Sequence, residues 1–387
     1  MSIGVIIPNS GILPTRLGIA AMAVEAEAAG AAGLWVSDHL LMVDEEITNY
    51  PYSADGRLTW DVKDDYFEAL TTCSVIGAVT ETAAVGTAVL VLPQRNPLQL
   101  AKEAATIDRL IGGRFILGVG AGWNAPEMKA LGYSFADRGR RMDEDIRILQ
   151  SSWSGEPPAF QGSFESVTPG VMLFPRPAQE YGVPVLSGGM APAALRRAAR
   201  STGWLAIAFV QRWDPESLRV AMDLYKAETA HAHGSAFAVL KLHCTVEKMH
   251  DLAACAGEAL AMGFAHVIVE VPWSEGIKPA CDVLKSVISV TTQPVPEARW
   301  WTDRHQEGES LTPYSRLERG EVVLALRRAS NLPELILQPA RRRLWRLPRR
   351  RCGQGLALQQ HGAPGPVRHQ SVQTLAPAPD ALDREAH

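Results

Sequence analysis

No apolar run in the chain reaches the roughly 18 residues that a membrane span requires, so no transmembrane helix is expected. Cysteine is scarce: Cys73, Cys244, Cys255, Cys281 and Cys352 are scattered and form no C-x-x-C pair. That pattern argues against a disulfide framework or a zinc site and assigns the thiols to small core positions. There is no G-x-S-x-G elbow, no P-loop, no H-E-x-x-H and no close set of carboxylates at metal-ligand spacing. Hydrolase and metalloenzyme chemistries lose ground accordingly, and no metal is expected. A basic excess is also missing: the formal net charge is −4, so the molecule as a whole is not expected to bind nucleic acid. The N-terminus has no basic region ahead of the apolar Ile3 to Pro8 and no cleavage signature, so this segment reads as a buried strand in a cytoplasmic protein and not as a signal peptide.

What is present is a 387-residue chain, 47% hydrophobic and 21% charged, enough to bury a large core. From Pro294 onward it holds fifteen Arg, no Lys and ten Asp plus Glu, a balance of +5, which leaves residues 1–293 at −9. Residues 294–387, with the run Arg341-Arg342-Arg343 and a Gln/Pro/Gly-rich stretch after it, are expected to be a poorly ordered, solvated tail and not a phosphate-binding patch. Residues 1–293 alternate short β-branched runs with amphipathic segments. The expected strands are Ile3–Pro8, Gly33–Val36, Ala84–Val91, Phe115–Val119, Val183–Leu186, Leu205–Val210, Ala238–Val246 and Ala265–Val271. Between them Asn96-Pro97 opens a helix with Leu100, Ala104, Ile107 and Ile111 on one face, and Asp214-Pro215 opens another with Leu218, Met222 and Tyr225. Met142, Ile146, Leu149 and Trp153 line a third. Eight buried strands alternating with helices predict an α/β fold, a (β/α)8 barrel, in which reactive groups stand where strands end. Residues 37–65 and 154–182 are too long for simple turns and are expected to shape the substrate site as rim insertions.

After the second strand come Ser37-Asp38-His39, an imidazole beside a carboxylate that can exchange protons near neutral pH. After the fourth comes Gly118-Val119-Gly120-Ala121-Gly122-Trp123-Asn124, whose glycines allow close backbone approach to an anion without being the full dinucleotide fingerprint. After the fifth, Ser187-Gly188-Gly189 leads into a helix, where free N–H donors and the helix dipole favour a phosphate. Trp35, Trp60, Trp123 and Tyr133 add aromatic surface. Flat apolar walls with one anion site suit a phosphorylated planar cofactor.

These residues resemble the bacterial luciferase-like flavin and deazaflavin oxidoreductases. The resemblance runs from Ile3 to about Ser289 and rests on Gly33 to Leu40, Pro51 to Arg57, Gly86 to Pro97, Leu110 to Trp123, and Gly188-Gly189 with Ala193 to Ala199. The segment Tyr52-Ser53-Ala54-Asp55-Gly56-Arg57 is similar to the branch that uses coenzyme F420. The resemblance implies a barrel whose cofactor ring lies over a bulge at the end of strand three, where relatives have a non-proline cis peptide, by position Ala88-Val89. It assigns cofactor contacts to Ala88, Val89, Val91, Asn96, Gly120, Ala121, Gly122, Trp123, Ser187, Gly188 and Gly189, and catalysis to His39 with Asp38. Sugar-phosphate dehydrogenases of the family carry a Glu where Trp123 stands, which argues against a glucose-6-phosphate reaction.

The expected function is hydride transfer between F420 and a small organic substrate, with His39 as proton donor or acceptor. The alternative is an FMNH2-dependent monooxygenase using oxygen, and a barrel that binds ligand without catalysis is a third reading, disfavoured by His39 and both glycine turns. Besides substrate, the only partner expected is a second copy of the chain, in a homodimer.

Overall fold

The computed structural model describes residues 2–45, 50–53, 56–58, 60–232 and 236–289. The expectation of a poorly ordered tail falls outside the described residues. Eight parallel strands close into a barrel: β1 (Ser2–Ile6), β2 (Gly33–Val36), β3 (Ala84–Thr87), β4 (Phe115–Gly120), β5 (Val185–Gly188), β6 (Gly203–Phe209), β7 (Ala238–His243) and β8 (His266–Val269). Closure is made where β1 meets β8, with Ser2 opposite His266 and Val5 opposite Val269. β3 continues after a bulge as the short strand Leu90–Val91, which pairs with the end of β4. The peptide Ala88–Val89 within that bulge is cis. All eight expected strands are present, displaced by at most a few residues at their ends.

Around the barrel run α1 (Ile19–Ala28), α2 (Ala69–Val79), α3 (Pro97–Leu110), α4 (Ala125–Ala130), α5 (Arg138–Ser152), α6 (Pro192–Ala199), α7 (Pro215–His231), α8 (Leu252–Ala261) and α9 (Ile277–Ile288). No helix among the described residues is long and apolar enough to cross a membrane. Their starts follow side-chain chemistry: Asn96 accepts from the Gln99 N–H, Asn124 from Glu127 and Asp214 from Ser217, each with proline in the first turn. The stripes Leu100, Ala104, Ile107 and Met142, Ile146, Leu149 are buried against the sheet. Burial of such side chains stabilises by about 1.5–3 kcal/mol each, which holds the helices on the barrel.

Inside the barrel Trp35 is fully buried, with its Nε1–H donated to His266 Nε2 at 3.1 Å. Bare glycines make the room: a Cβ on Gly86 would lie 2.6 Å from the Trp35 ring, and one on Gly33 2.7 Å from its indole nitrogen. Since Nε2 accepts, His266 Nδ1 carries the proton and donates to Ser2 Oγ at 2.7 Å. Burial pushes the His266 pKa down to about 3, so the ring is neutral. Trp35 is therefore a core plug and not part of the rim, because its position on β2 faces the barrel interior.

Residues 37–65 and 154–182 part company. The first follows β2, and its described residues stand at the carboxyl-end rim. The second follows α5 and leads into β5, so it lies at the opposite end of the barrel, and the expectation that it shapes the substrate site is corrected. It carries a small antiparallel hairpin (Phe160–Gln161 with Ser166–Val167) and docks on helices: Glu144 of α5 accepts the backbone N–H groups of Ser163, Phe164 and Glu165.

Candidate functional site

The strand ends and the described residues of the 37–65 segment enclose a cavity of about 800 Å³ at the carboxyl-end rim. One side is aromatic: Tyr50, Tyr52, Trp60, Tyr66, Trp123 and Phe209. Another is the β3 bulge and the glycine turns, with Ala88, Val89, Val91, Gly120, Ala121, Gly122, Gly188 and Gly189 all on the lining. Among the assigned cofactor residues two do not reach it. Asn96 is exposed and its carboxamide caps α3, so the cap that the sequence signals consumes the side chain that was to bind a cofactor. Ser187 is fully buried outside the lining, its Oγ without a partner among the described residues. Tyr133 also stands away, against the Arg141 guanidinium at 5.3 Å.

His39 and Asp38 diverge, because consecutive residues leaving a strand face opposite ways. Asp38 points to the bulge: its oxygens accept from the Val91 N–H at 2.9 Å and from Arg95 Nη2 at 2.7 Å. Burial pushes its carboxyl up, while Arg95 and the Val91 N–H pull it back. Asp38 lies on the cavity lining with His39, where the catalytic assignment puts it, but its hydrogen bonds go to the bulge and Arg95 and not to the imidazole. His39 instead bonds through Nδ1 to Glu127 Oε2 at 2.7 Å. Glu127, on α4 and 1% exposed, also accepts the Leu40 N–H at 2.8 Å and Gln94 Nε2 at 3.0 Å through its other oxygen. Burial raises the Glu127 carboxyl, but the His39 bond and charge and the Leu40 and Gln94 donors outweigh it and hold the group below the usual carboxylate range. A carboxylate only accepts, so His39 Nδ1 carries a proton, and in the neutral ring Nε2 presents a lone pair. Among the described residues Nε2 has no hydrogen-bond partner. Trp123 and Tyr66 pack edge-on against the ring at 5.5 Å and 5.4 Å, which sets its tilt.

Glu127 was not singled out from the sequence. The available signal was N-cap Asn124 with Glu three positions on, a pattern that ordinarily reads as helix capping. The glycine turns also have a second reason. A Cβ on Gly120 would lie 2.6 Å from Val89 Cγ2 and one on Gly122 2.7 Å from Val91 Cγ1. Their bareness lets the end of β4 close over the bulge. Gly189, at φ +120°, turns the chain into α6, whose N-cap Ala191 supplies no side-chain acceptor. In the first turn of α6 Pro192 has no N–H and Ala194 donates to the Ala191 carbonyl at 2.8 Å, which leaves the Ala193 N–H for an anion, with Arg197 also on the cavity lining.

The same cavity holds His243, the last residue of β7, whose Nδ1 lies 2.8 Å from the Glu270 carboxylate just beyond β8. Lys241 of β7 is buried and spends its ammonium on the Ala88 carbonyl at 3.0 Å. Among the described residues no group of three or more His, Cys, Asp or Glu side chains is arranged to hold a metal.

A parallel barrel with an oriented imidazole and an uncapped helix start on one carboxyl-end cavity is a site for an anionic planar ligand and proton exchange. A model of the luciferase-like monooxygenase family matches residues 10–323, and the chain belongs to this family. Its members are flavin- or F420-dependent oxidoreductases and monooxygenases. An uncharacterised protein of Mycobacterium tuberculosis (strain H37Rv) is 37% identical over 184 residues, 48% of this chain and 63% of that protein. An FMNH2-dependent dimethylsulfone monooxygenase of Pseudomonas putida is 32% identical over 176 residues, 45% of this chain and 47% of that protein. The chain thus spans less than two thirds of the length of these curated relatives. Among solved structures, an F420-dependent secondary alcohol dehydrogenase in complex with an F420–acetone adduct shares the fold with a TM-score of 0.60 at 17% identity, over 76% of this chain and 99% of that one.

Proposed function

We propose that the protein transfers a hydride between coenzyme F420 and a small alcohol or ketone, with His39 as the proton-exchanging group. The observation that carries this reading is the His39–Glu127 pair opening onto the cavity that also holds the β3 bulge and the glycine turns. The residues present fit such a cofactor: Trp60 Nε1 on the lining is a buried donor without a partner among the described residues, and the α6 N-terminus is uncapped. When bound, F420 would supply hydride exchange with the oxygen-bearing carbon of the substrate. The protein supplies the rest. Ala88, Val89 and Val91 would form the floor for the ring, and the backbone of Gly188 and Gly189 with the Ala193 N–H would hold the phosphate. Aromatic side chains exclude water, and His39 Nε2 takes the hydroxyl proton in oxidation and returns it in reduction. Glu127 acts through the imidazole by fixing its tautomer, so it is a positioning residue.

F420 is favoured over FMN by the Pro51 to Arg57 segment, whose Tyr52 lies on the cavity lining. The Pseudomonas relative supports a second reading, oxidation of substrate by oxygen with reduced FMN. Side-by-side fluorescence titration decides: the protein is expected to bind oxidised F420 more tightly than FMN and to consume no oxygen when supplied with FMNH2. Tighter FMN binding with oxygen uptake establishes the second reading instead. His39→Ala is expected to leave F420 affinity nearly unchanged and to lower turnover by roughly 10²-fold or more. Unaltered turnover would remove His39 from the proton step.

A further inference from the structure

The hydride reading uses one imidazole, and the cavity has two. His243 is held by three partners. Its ring stacks on Phe209 at 5.3 Å and 8° and on Tyr52 at 5.7 Å and 29°, and its Nδ1 is taken by Glu270. Burial raises the Glu270 carboxyl, but the His243 and Lys241 charges, the His243 hydrogen bond and the Cys244 N–H outweigh it and keep the group ionised. It therefore accepts the Nδ1 proton. Phe209 and Tyr52 are only 6.1 Å from each other, so they pack side by side against the ring, and His243 keeps 21% side-chain exposure on the cavity lining. Nε2 has no partner among the described residues. When the ring is neutral, Nε2 offers a lone pair to a donor in the cavity.

The two imidazoles stand at the ends of one wall of rings. From His39 the contacts run to Trp123 at 5.5 Å, to Tyr50 at 5.1 Å, to Tyr52 at 5.3 Å and to His243 at 5.7 Å. Two tyrosines and a tryptophan lie between the two imidazoles along this path of contacts.

We propose that His243 is a specificity-determining residue that accepts a hydrogen bond from a second hydroxyl of the substrate, remote from the reacting carbon. The substrate class is then a hydroxylated alcohol or ketone with a flat apolar body. This rests on the hydride-transfer reading for the role of His39, but the recognition itself belongs to the chain alone.

The experiment uses the full chain with 15N-labelled histidine, loaded with whichever of F420 and FMN binds, and two probes, 1-phenylethanol and 1-(4-hydroxyphenyl)ethanol. Affinity is read from the His243 resonance and from cofactor fluorescence. The phenolic probe is expected to bind about tenfold more tightly and to move the His243 Nε2 signal. His243→Phe keeps the stacking and is expected to bring the two probes to equal affinity with cofactor affinity unchanged, whereas His243→Gln, whose carbonyl still accepts, restores part of the preference. Equal binding of the probes to the unaltered protein, or a preference that survives His243→Phe, overturns the proposal. Should His243→Phe fail to fold, the absence of any Nε2 shift in the unaltered protein overturns it equally. FMN binding in place of F420 refutes the hydride reading and leaves the probe ratio to judge this one; with neither cofactor bound, the resonance of the unloaded chain gives the same ratio.

Discussion

Replacing Glu127 by Gln tests the site at the point where geometry is most demanding. In the native protein the Glu127 oxygens serve three donors: Oε2 takes His39 Nδ1–H at 2.7 Å, and Oε1 takes the Leu40 N–H at 2.8 Å and Gln94 Nε2 at 3.0 Å. In Glu127→Gln the carbonyl oxygen stays with the two fixed donors, and the new NH2 faces His39. An amide N–H cannot accept, so Nδ1 becomes the acceptor and the ring proton moves to Nε2. The imidazole then has no lone pair for the substrate proton. The expected loss is roughly 10²- to 10⁴-fold in kcat, the range known for wrong-tautomer histidines, with F420 affinity unaltered. Stability is expected to fall by only about 1–2 kcal/mol, since one charge-assisted bond becomes neutral. Glu127→Ala, by contrast, strands three buried donors at about 1–3 kcal/mol each and is expected to give little soluble protein. The assay is single-turnover reduction of F420, accompanied by 15N spectra that report which nitrogen of His39 is protonated. Turnover within threefold of the native value, in a Gln variant whose His39 proton has moved to Nε2, refutes the reasoning.

Asp145 of α5 is fully buried with neither oxygen partnered among the described residues, and burial together with the Glu165 charge pushes its pKa up to about 8. A carboxyl that titrates higher in the folded than in the unfolded chain favours folding at low pH, a contribution lost as pH rises from about 4 to about 8 at about 1.4 kcal/mol per pH unit. Asp145→Asn is therefore expected to gain stability over the native protein across that window in urea melts; a pH-independent difference contradicts this. Gly118→Ala would drive its Cβ into the Thr87 carbonyl oxygen, a backbone atom that cannot yield, whereas Gly132→Ala meets nothing and suffers only from φ +85°. The first is expected to abolish soluble expression and the second to cost about 1–2 kcal/mol by thermal melt. Because the eighth strand–helix unit ends at Ile288, a chain ending at residue 293 is expected to fold and to bind F420 or FMN as the full chain does, measured by titration. Insolubility of that chain counts against it.

Local pattern determined the barrel. Eight β-branched runs, each succeeded by a helical stripe, leave a parallel closed sheet as the way to bury every strand on both faces, and the helix starts at Asn96 and Asp214 are written in their caps. His39 was legible for the same reason, since a barrel presents at its rim the residues just past its strand ends. The partner of that imidazole was not legible. Asp38 is its neighbour in sequence but turns away to Arg95, while Glu127, 88 positions on, arrives only because α4 packs its first turn beside the end of β2. Trp35, Asn96 and the 154–182 segment carry the same lesson. Which face of a strand meets the interior, whether a carboxamide is spent on a cap, and at which end a loop emerges depend on closure of the ring. Hydrogen bonds form between groups that are close in space, and distance along the chain sets that closeness only within a turn or two.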